Sequence, residues 1–152
     1  MRALIQRVSR AKVTVADKTV GEIGSGMLIF VGISTSDSDK DIDYIVRKLG
    51  TLRIFPKGDA RDDKFGKNIH DIGGGLLVIP QFTLYGSLRK GTKPEFSKAM
   101  QPESARKLFD RIIAKLEATG IDVQTGAFGE YMQVESVNDG PVSFMLSSDH
   151  VQ

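Results

Sequence analysis

Two short stretches hold residue types that could do chemistry. The first is Pro80-Gln81-Phe82-Thr83-Leu84-Tyr85-Gly86, where polar groups interrupt an apolar run at its end. Thr83 brings a hydroxyl, and Gln81 brings an amide that both donates and accepts. Thr83 could serve as a nucleophile, but a hydroxyl needs a base to activate it and no His or Lys is adjacent in sequence. It reads equally as a strand-end hydroxyl that satisfies backbone. Backbone N–H groups near Phe82 and Thr83 could instead stabilise a developing oxyanion.

The second stretch is Asn138-Asp139-Gly140-Pro141-Val142-Ser143-Phe144. Pro141 has no N–H, fixes its own φ and restricts Gly140 before it. Gly140, lacking a Cβ, lets main chain approach another surface closely. The bond joining them can be cis at modest energy. The stretch reads either as a turn between two strands or as a stiff corner that presents its carbonyl groups to a ligand. Near the first stretch, Ser87–Ser97 contains Arg89, Lys90 and Lys93, which suits an anionic ligand or a plain solvated loop.

Other chemistries find little support. With no cysteine there is no thiol nucleophile, disulfide or thiolate-bound metal. His70 and His150 are far apart and lack clustered carboxylates, so no metal or other cofactor is expected. Gly73-Gly74-Gly75 lacks the Gly-Lys-Ser/Thr ending of a phosphate loop and leads into a strand.

The elements that must position these stretches follow from periodicity. Strands are expected at Ala3–Ser9 and Lys12–Val15, with Asp17-Lys18 turning back into Thr19–Ile23. Met27–Ile33 and Leu76–Ile79 are continuously apolar and read as strands buried on both faces. Ser38 and Asp41 form a capping box for a helix with Ile42, Ile45, Val46 and Leu49 inward and Gly50 as its stop. Arg53–Pro56 reads as a short strand, and residues 57–68 as a charged, mobile excursion. Pro102-Glu103 opens a second helix, buried through Ala105, Leu108, Phe109, Ile112, Ile113 and Leu116 and closed by Gly120. Ile121–Val123, Tyr131–Val137 and Val142–Leu146 complete the strands.

The expected fold is thus α/β but mainly β, a single domain over residues 1–152 with two amphipathic helices. A net charge of +2 is too mild to announce a nucleic-acid partner, yet it does not exclude one presenting only a chain end. No run of about 18 apolar residues suggests a membrane span, and the N-terminus lacks a signal-peptide core, so a cytoplasmic location is expected.

Taken together, Gln81-Phe82-Thr83-Leu84 and Asn138-Asp139-Gly140-Pro141-Val142 resemble the marks of the D-aminoacyl-tRNA deacylases. Leu4-Ile5-Gln6-Arg7-Val8, Lys93-Pro94-Glu95-Phe96 and Phe128-Gly129-Glu130-Tyr131-Met132-Gln133 extend the likeness over nearly the whole chain. Two positions depart from the pattern: Pro80 stands where many members have Ser, and Ser143 where Thr is usual.

The resemblance implies a β-barrel-like homodimer that hydrolyses the ester between an amino acid and the 3′-terminal adenosine of tRNA. D-amino acids and glycine are removed and L-amino acids rejected. It implies a cis Gly140–Pro141 corner reaching into the partner's site, with Arg7 bracing it from behind or remaining an ordinary strand arginine. Gln81, Phe82 and Thr83 would form the catalytic strand end, with the tRNA's own 2′-OH activating water. Phe128 and Met132 would flank the terminal adenine, or else be plain core. The rivals are a non-catalytic nucleic-acid-binding dimer and an esterase of small metabolites.

Overall fold

The computed structural model describes residues 1–58 and 65–149. Residues 59–64 of the charged excursion, and His150, lie outside the described residues.

The chain is organised around β1 (Arg2–Val15), which pairs along both edges. On one edge it pairs antiparallel first with β3 (Gly26–Gly32) through Arg2 to Val8, then with β2 (Lys18–Ile23) through Ala11 to Val15. On the other edge β6 (Gln133–Ser147) runs antiparallel along nearly its full length. β4 (Gly75–Pro80) and β5 (Asp122–Thr125) extend the sheet beyond β3 with parallel pairing. Parallel neighbours need long crossovers, and α1 (Asp39–Thr51) and α3 (Pro102–Glu117) lie within them. Gly21 abuts the Thr125 carbonyl across the curl, so β2 closes toward β5 and the mixed sheet becomes a nearly closed barrel.

Two apolar clusters account for the continuous apolar runs. Met27, Ile29, Val31, Leu76 and Val78 face α1 and α3, where Ile42, Ile45, Leu49, Phe109, Ile112 and Leu116 cover them. Leu28, Leu77 and Ile79 face the inside of the curled sheet with Val8, Ala11 and Val13. Each strand residue therefore meets apolar surface on whichever side it points. Gly26 is obligatory at its place, because a Cβ there would lie 1.9 Å from the Gly75 carbonyl oxygen. Ion pairs Arg111–Asp39 and Lys115–Asp43 join the two helices at the surface. Among the described residues no helix is long and apolar enough to cross a membrane.

Several expectations need correction. The first two expected strands are one, because β1 changes partner on one edge without losing the other. Bulges against β6 shift its burial phase near Arg7 to Arg10, which breaks the sequence alternation there. The helix beginning after Ser38 has its predicted capping box, with Ser38 N–H donating to Asp41 Oδ2 at 2.8 Å. It does not stop at Gly50, however, but runs to Thr51, and the Leu52 N–H closes on the Lys48 carbonyl. Arg53–Pro56 makes only an isolated bridge, Phe55 to Lys67. A third helix, α2 (Ile69–Ile72), was not expected; Asn68 and Asp71 cap it reciprocally and Gly73 ends it with φ 59°. The last strand begins at Gln133 and not at Tyr131, and it continues through the Gly-Pro corner.

Candidate active site

β4 ends at Pro80, and the chain then folds into a 3-10 turn over Phe82–Tyr85. Gln81 still belongs to the sheet through its N–H, which donates to the Val31 carbonyl at 2.8 Å. The turn closes by Leu84 N–H to Gln81 O at 3.3 Å and Gly86 N–H to Thr83 O at 2.9 Å. The N–H groups of Phe82 and Thr83, at the head of the turn, have no backbone acceptor among the described residues. Gln81 Nε2 donates to Thr83 Oγ1, so amide and hydroxyl form one unit. Arg2 steadies the turn from beneath, donating to the Leu84 carbonyl at 2.9 Å and lying 4.6 Å above the Tyr85 ring. Burial and the Asp37 carboxylate push the Tyr85 hydroxyl up to about 12, so it stays neutral.

Beside the turn lies a cavity of about 540 Å³, within the usual range of roughly 300–1,000 Å³ for small-ligand sites. Gln81 and Phe82 form part of its wall, with Phe96, Phe128, Glu130, Tyr131 and Met132. Phe82 is held edge-on by Phe96, ring centres 5.0 Å apart. Phe128 packs on Phe109 at 6.0 Å, and Arg106 lies 5.6 Å from its outer side. Met132 comes close because Gly126 opposite it has no side chain; a Cβ would lie 2.7 Å from Sδ. Phe128 and Met132 are thus half-buried, each packed on a core cluster and each also lining the cavity.

The corner at Gly140-Pro141 is a separate feature of the chain. Its peptide bond is cis. Gln6 pairs with Ser143 and Val8 with Asn138, so on β6 the four residues Asp139 to Val142 face the single residue Arg7. The surplus residues bulge out, and Gly140 and Pro141 are exposed. Asn138 ties the bulge at its base, accepting from Val142 N–H at 2.9 Å and donating to Ser143 Oγ at 3.0 Å. Ser143 therefore supplies the hydroxyl this closure uses. Arg7, only 8% exposed, donates to the Asp139 carbonyl at 2.9 Å and to the Ile54 carbonyl at 2.7 Å.

The structure thus brings Gln81, Phe82, Phe128 and Met132 to one cavity, with Thr83 bonded to Gln81 at its edge. None of the described residues lining that cavity comes from the corner. Asn138 and Arg2 were missed as supporting residues. Asn138 lay in the motif but gave no sign of its side-chain bonds. Arg2 is 82 positions from its acceptor, and nothing local could have signalled the pairing.

Comparison with known proteins places the chain in a family. The sequence profile of D-Tyr-tRNA(Tyr) deacylase matches residues 4–147. The D-aminoacyl-tRNA deacylase of Trichodesmium erythraeum is 46% identical over 149 residues, covering 98% of this chain and 97% of that protein. That of Clostridioides difficile is 46% identical, covering 97% of each. Among solved structures, the c-Myc DNA unwinding element binding protein superposes with TM-score 0.89 at 38% identity, over 97% of this chain and 99% of that one. A probable eukaryotic D-amino acid tRNA deacylase shares the fold with TM-score 0.84 at 18% identity, over 95% of this chain and 97% of its own. The chain belongs to the D-Tyr-tRNA(Tyr) deacylase family.

Proposed function

We propose that the chain is an ester hydrolase that removes D-amino acids, and glycine, from the 3′ end of tRNA and works as a homodimer. In this reading the terminal adenine enters the cavity between Phe128 and Met132, which fits the way unpaired bases are held against apolar and aromatic surfaces. The ester carbonyl then meets the Phe82 and Thr83 N–H groups, which stabilise the oxyanion as it forms. An ester is activated enough for water, oriented by the tRNA's own 2′-OH and by Gln81, to be the nucleophile. Thr83 then holds Gln81 in place.

The observation that carries the stereochemical part is the exposure of Gly140 and Pro141 above a buried arginine. Two enantiomers present identical groups, so only a fixed shape separates them. The corner is fixed by Arg7 and Asn138, yet none of its residues lines the cavity of its own chain, so in this reading it serves the cavity of a partner. There its carbonyls accept from the substrate α-ammonium, and an L side chain collides with the main chain.

Release of amino acid from D-Tyr-tRNA, L-Tyr-tRNA and Gly-tRNA tests the reading. Cleavage of the first and third with the second spared is expected. Equal cleavage of all three sinks the stereochemical fence. Cleavage of small aminoacyl esters as fast as of tRNA favours a metabolite esterase. Salt-sensitive duplex binding without deacylation favours a nucleic-acid-binding dimer.

A further inference from the structure

Tyr131 is 88% exposed, more than any other large apolar or aromatic residue described, yet it lines the cavity next to Met132. It follows the tight turn closed by Glu130 N–H to Ala127 O at 3.2 Å, with Gly129 at φ 78°. Its ring has no core function at that exposure. Beside it Glu130 is the one charged side chain among the described residues lining the cavity, and among the described residues it has no ion-pair partner. On the Phe82 side, Ser87 and Glu95 pair through both backbone bonds, at 2.8 and 3.0 Å. The exposed tip between them carries Arg89, Lys90 and Lys93, and the next residue, Phe96, is cavity wall.

We propose that these groups form a second nucleotide subsite, which takes the cytidine preceding the terminal adenosine. Tyr131 supplies a stacking face. Glu130 accepts from the cytosine exocyclic amine, where uracil would present another acceptor and be repelled. The 88–94 tip neutralises the phosphates of the strand leading in. The inference rests on the reading above that the terminal adenine lies at Phe128 and Met132. It adds the next nucleotide, and it gives a role to an exposed ring and an unpaired carboxylate that hydrolysis does not use.

The test uses D-tyrosyl esters of adenosine, of the dinucleotides cytidylyl-adenosine and uridylyl-adenosine, and of tRNA. The cytidylyl ester is expected to be hydrolysed about tenfold more efficiently than the adenosine ester, through base–aromatic stacking. The uridylyl ester should lose most of that gain. Tyr131→Ala should bring the cytidylyl ester down to the adenosine level through KM, and Tyr131→Phe should keep the gain. Glu130→Leu should erase the preference for cytidylyl over uridylyl. Replacing Arg89, Lys90 and Lys93 together by Gln should lower the logarithmic salt slope of tRNA binding by about 2, at roughly 0.7 per phosphate contact.

Equal hydrolysis of the adenosine and cytidylyl esters by the unaltered protein overturns the proposal. So does a Tyr131→Ala loss as large on the adenosine ester, or one that tracks dimer dissociation in sedimentation. Phe128→Ala separates the two readings. If it leaves the adenosine ester untouched, the adenine placement has failed. If it slows that ester while Tyr131→Ala spares the cytidylyl gain, only the second subsite has failed.

Discussion

Arg7 donates from Nε to the main-chain carbonyl of Asp139 at 2.9 Å, and the same nitrogen lies 3.3 Å from the Asp139 carboxylate. Arg7 is the one β1 residue opposite the bulge, so the strand register itself places the brace beneath the corner. Its Nη1 binds the Ile54 carbonyl at 2.7 Å, linking the corner to the chain after α1. One planar guanidinium thus spans two carbonyls in fixed directions, which an ammonium on a flexible stem cannot copy.

Arg7→Lys should therefore lower stability, since a buried hydrogen bond to a charged group contributes about 1.5–3 kcal/mol. It should also lower the ratio of D-Tyr-tRNA to L-Tyr-tRNA hydrolysis, as the corner loosens. Thermal unfolding and the two rates check this. A stable variant with undiminished selectivity would show that Arg7 does not brace the corner.

Gly140 sits at φ 135°, where an L side chain is strained, and a Cβ there would lie 2.7 Å from Val142 Cγ2 and 3.1 Å from Arg7 Nη2. Gly140→Ala should distort the corner locally, with strain of about 1–3 kcal/mol. Because the site is exposed, the barrel should persist by circular dichroism while discrimination between D and L substrates falls. Loss of folding together with activity would instead assign Gly140 a structural part alone.

Thr83 distinguishes two mechanisms. If water is the nucleophile, Thr83→Ala removes only the hydroxyl that receives the Gln81 amide. Substantial turnover should remain, and Gln81→Ala in the same background should lower it further, since Gln81 helps to orient the water. Complete loss of single-turnover cleavage with tRNA binding intact would assign the hydroxyl the nucleophilic role.

The parts legible in sequence were those with unbroken local rules. Met27–Ile33 and Leu76–Ile79 announced burial on both faces, because helices cover one face and the barrel interior the other. α1 and α3 followed from apolar spacing and caps. What escaped depended on pairing between distant segments. β1 looked like two strands because its bulges shift the phase of burial. β6 was expected to break at the corner, but Asn138 closes the bulge and the strand resumes at Ser143. Gly50 looked like a stop, yet it stays helical near the His70 ring. The cavity draws its wall from Val31 through Val134, so no local pattern could outline it.

Asp41 makes stability depend on acid. Burial alone would raise its pKa, but hydrogen bonds from the Ser148 hydroxyl and from the Ser38 N–H and hydroxyl, with the N-terminal ammonium nearby, hold it below the usual 3.8. Ser148 donates to Asp41 Oδ1 at 2.5 Å and accepts from Met1 N at 2.7 Å, so the carboxylate helps tie the end of β6 to the start of α1. A depressed carboxyl contributes stability that is present above the unfolded value and lost as pH falls through the folded one. Asp41→Asn should therefore be less stable than the unaltered protein at neutral pH, and the gap should shrink below pH 3.8. A gap constant across that range in urea titrations would count against this linkage.

Arg2 tests whether the 3-10 turn is held for catalysis. Its guanidinium reaches the Leu84 carbonyl at 2.9 Å and covers the Tyr85 ring, while Thr83 and Phe82 lie on the same turn toward the cavity. Losing this support should let the Phe82 and Thr83 N–H groups drift from the developing oxyanion. A displacement near 1 Å can reduce rate on the order of a hundredfold. Arg2→Leu keeps apolar contact with the ring but removes the donor, so kcat for D-Tyr-tRNA should fall on the order of tenfold to a hundredfold. KM should stay close to its original value, because the adenine contacts proposed at Phe128 and Met132 are untouched. Arg2→Lys, which keeps a donor, should recover part of the rate. If kcat and KM worsen together, or if the rate loss follows the fall in melting temperature, Arg2 supports the fold in general and not the geometry of the turn.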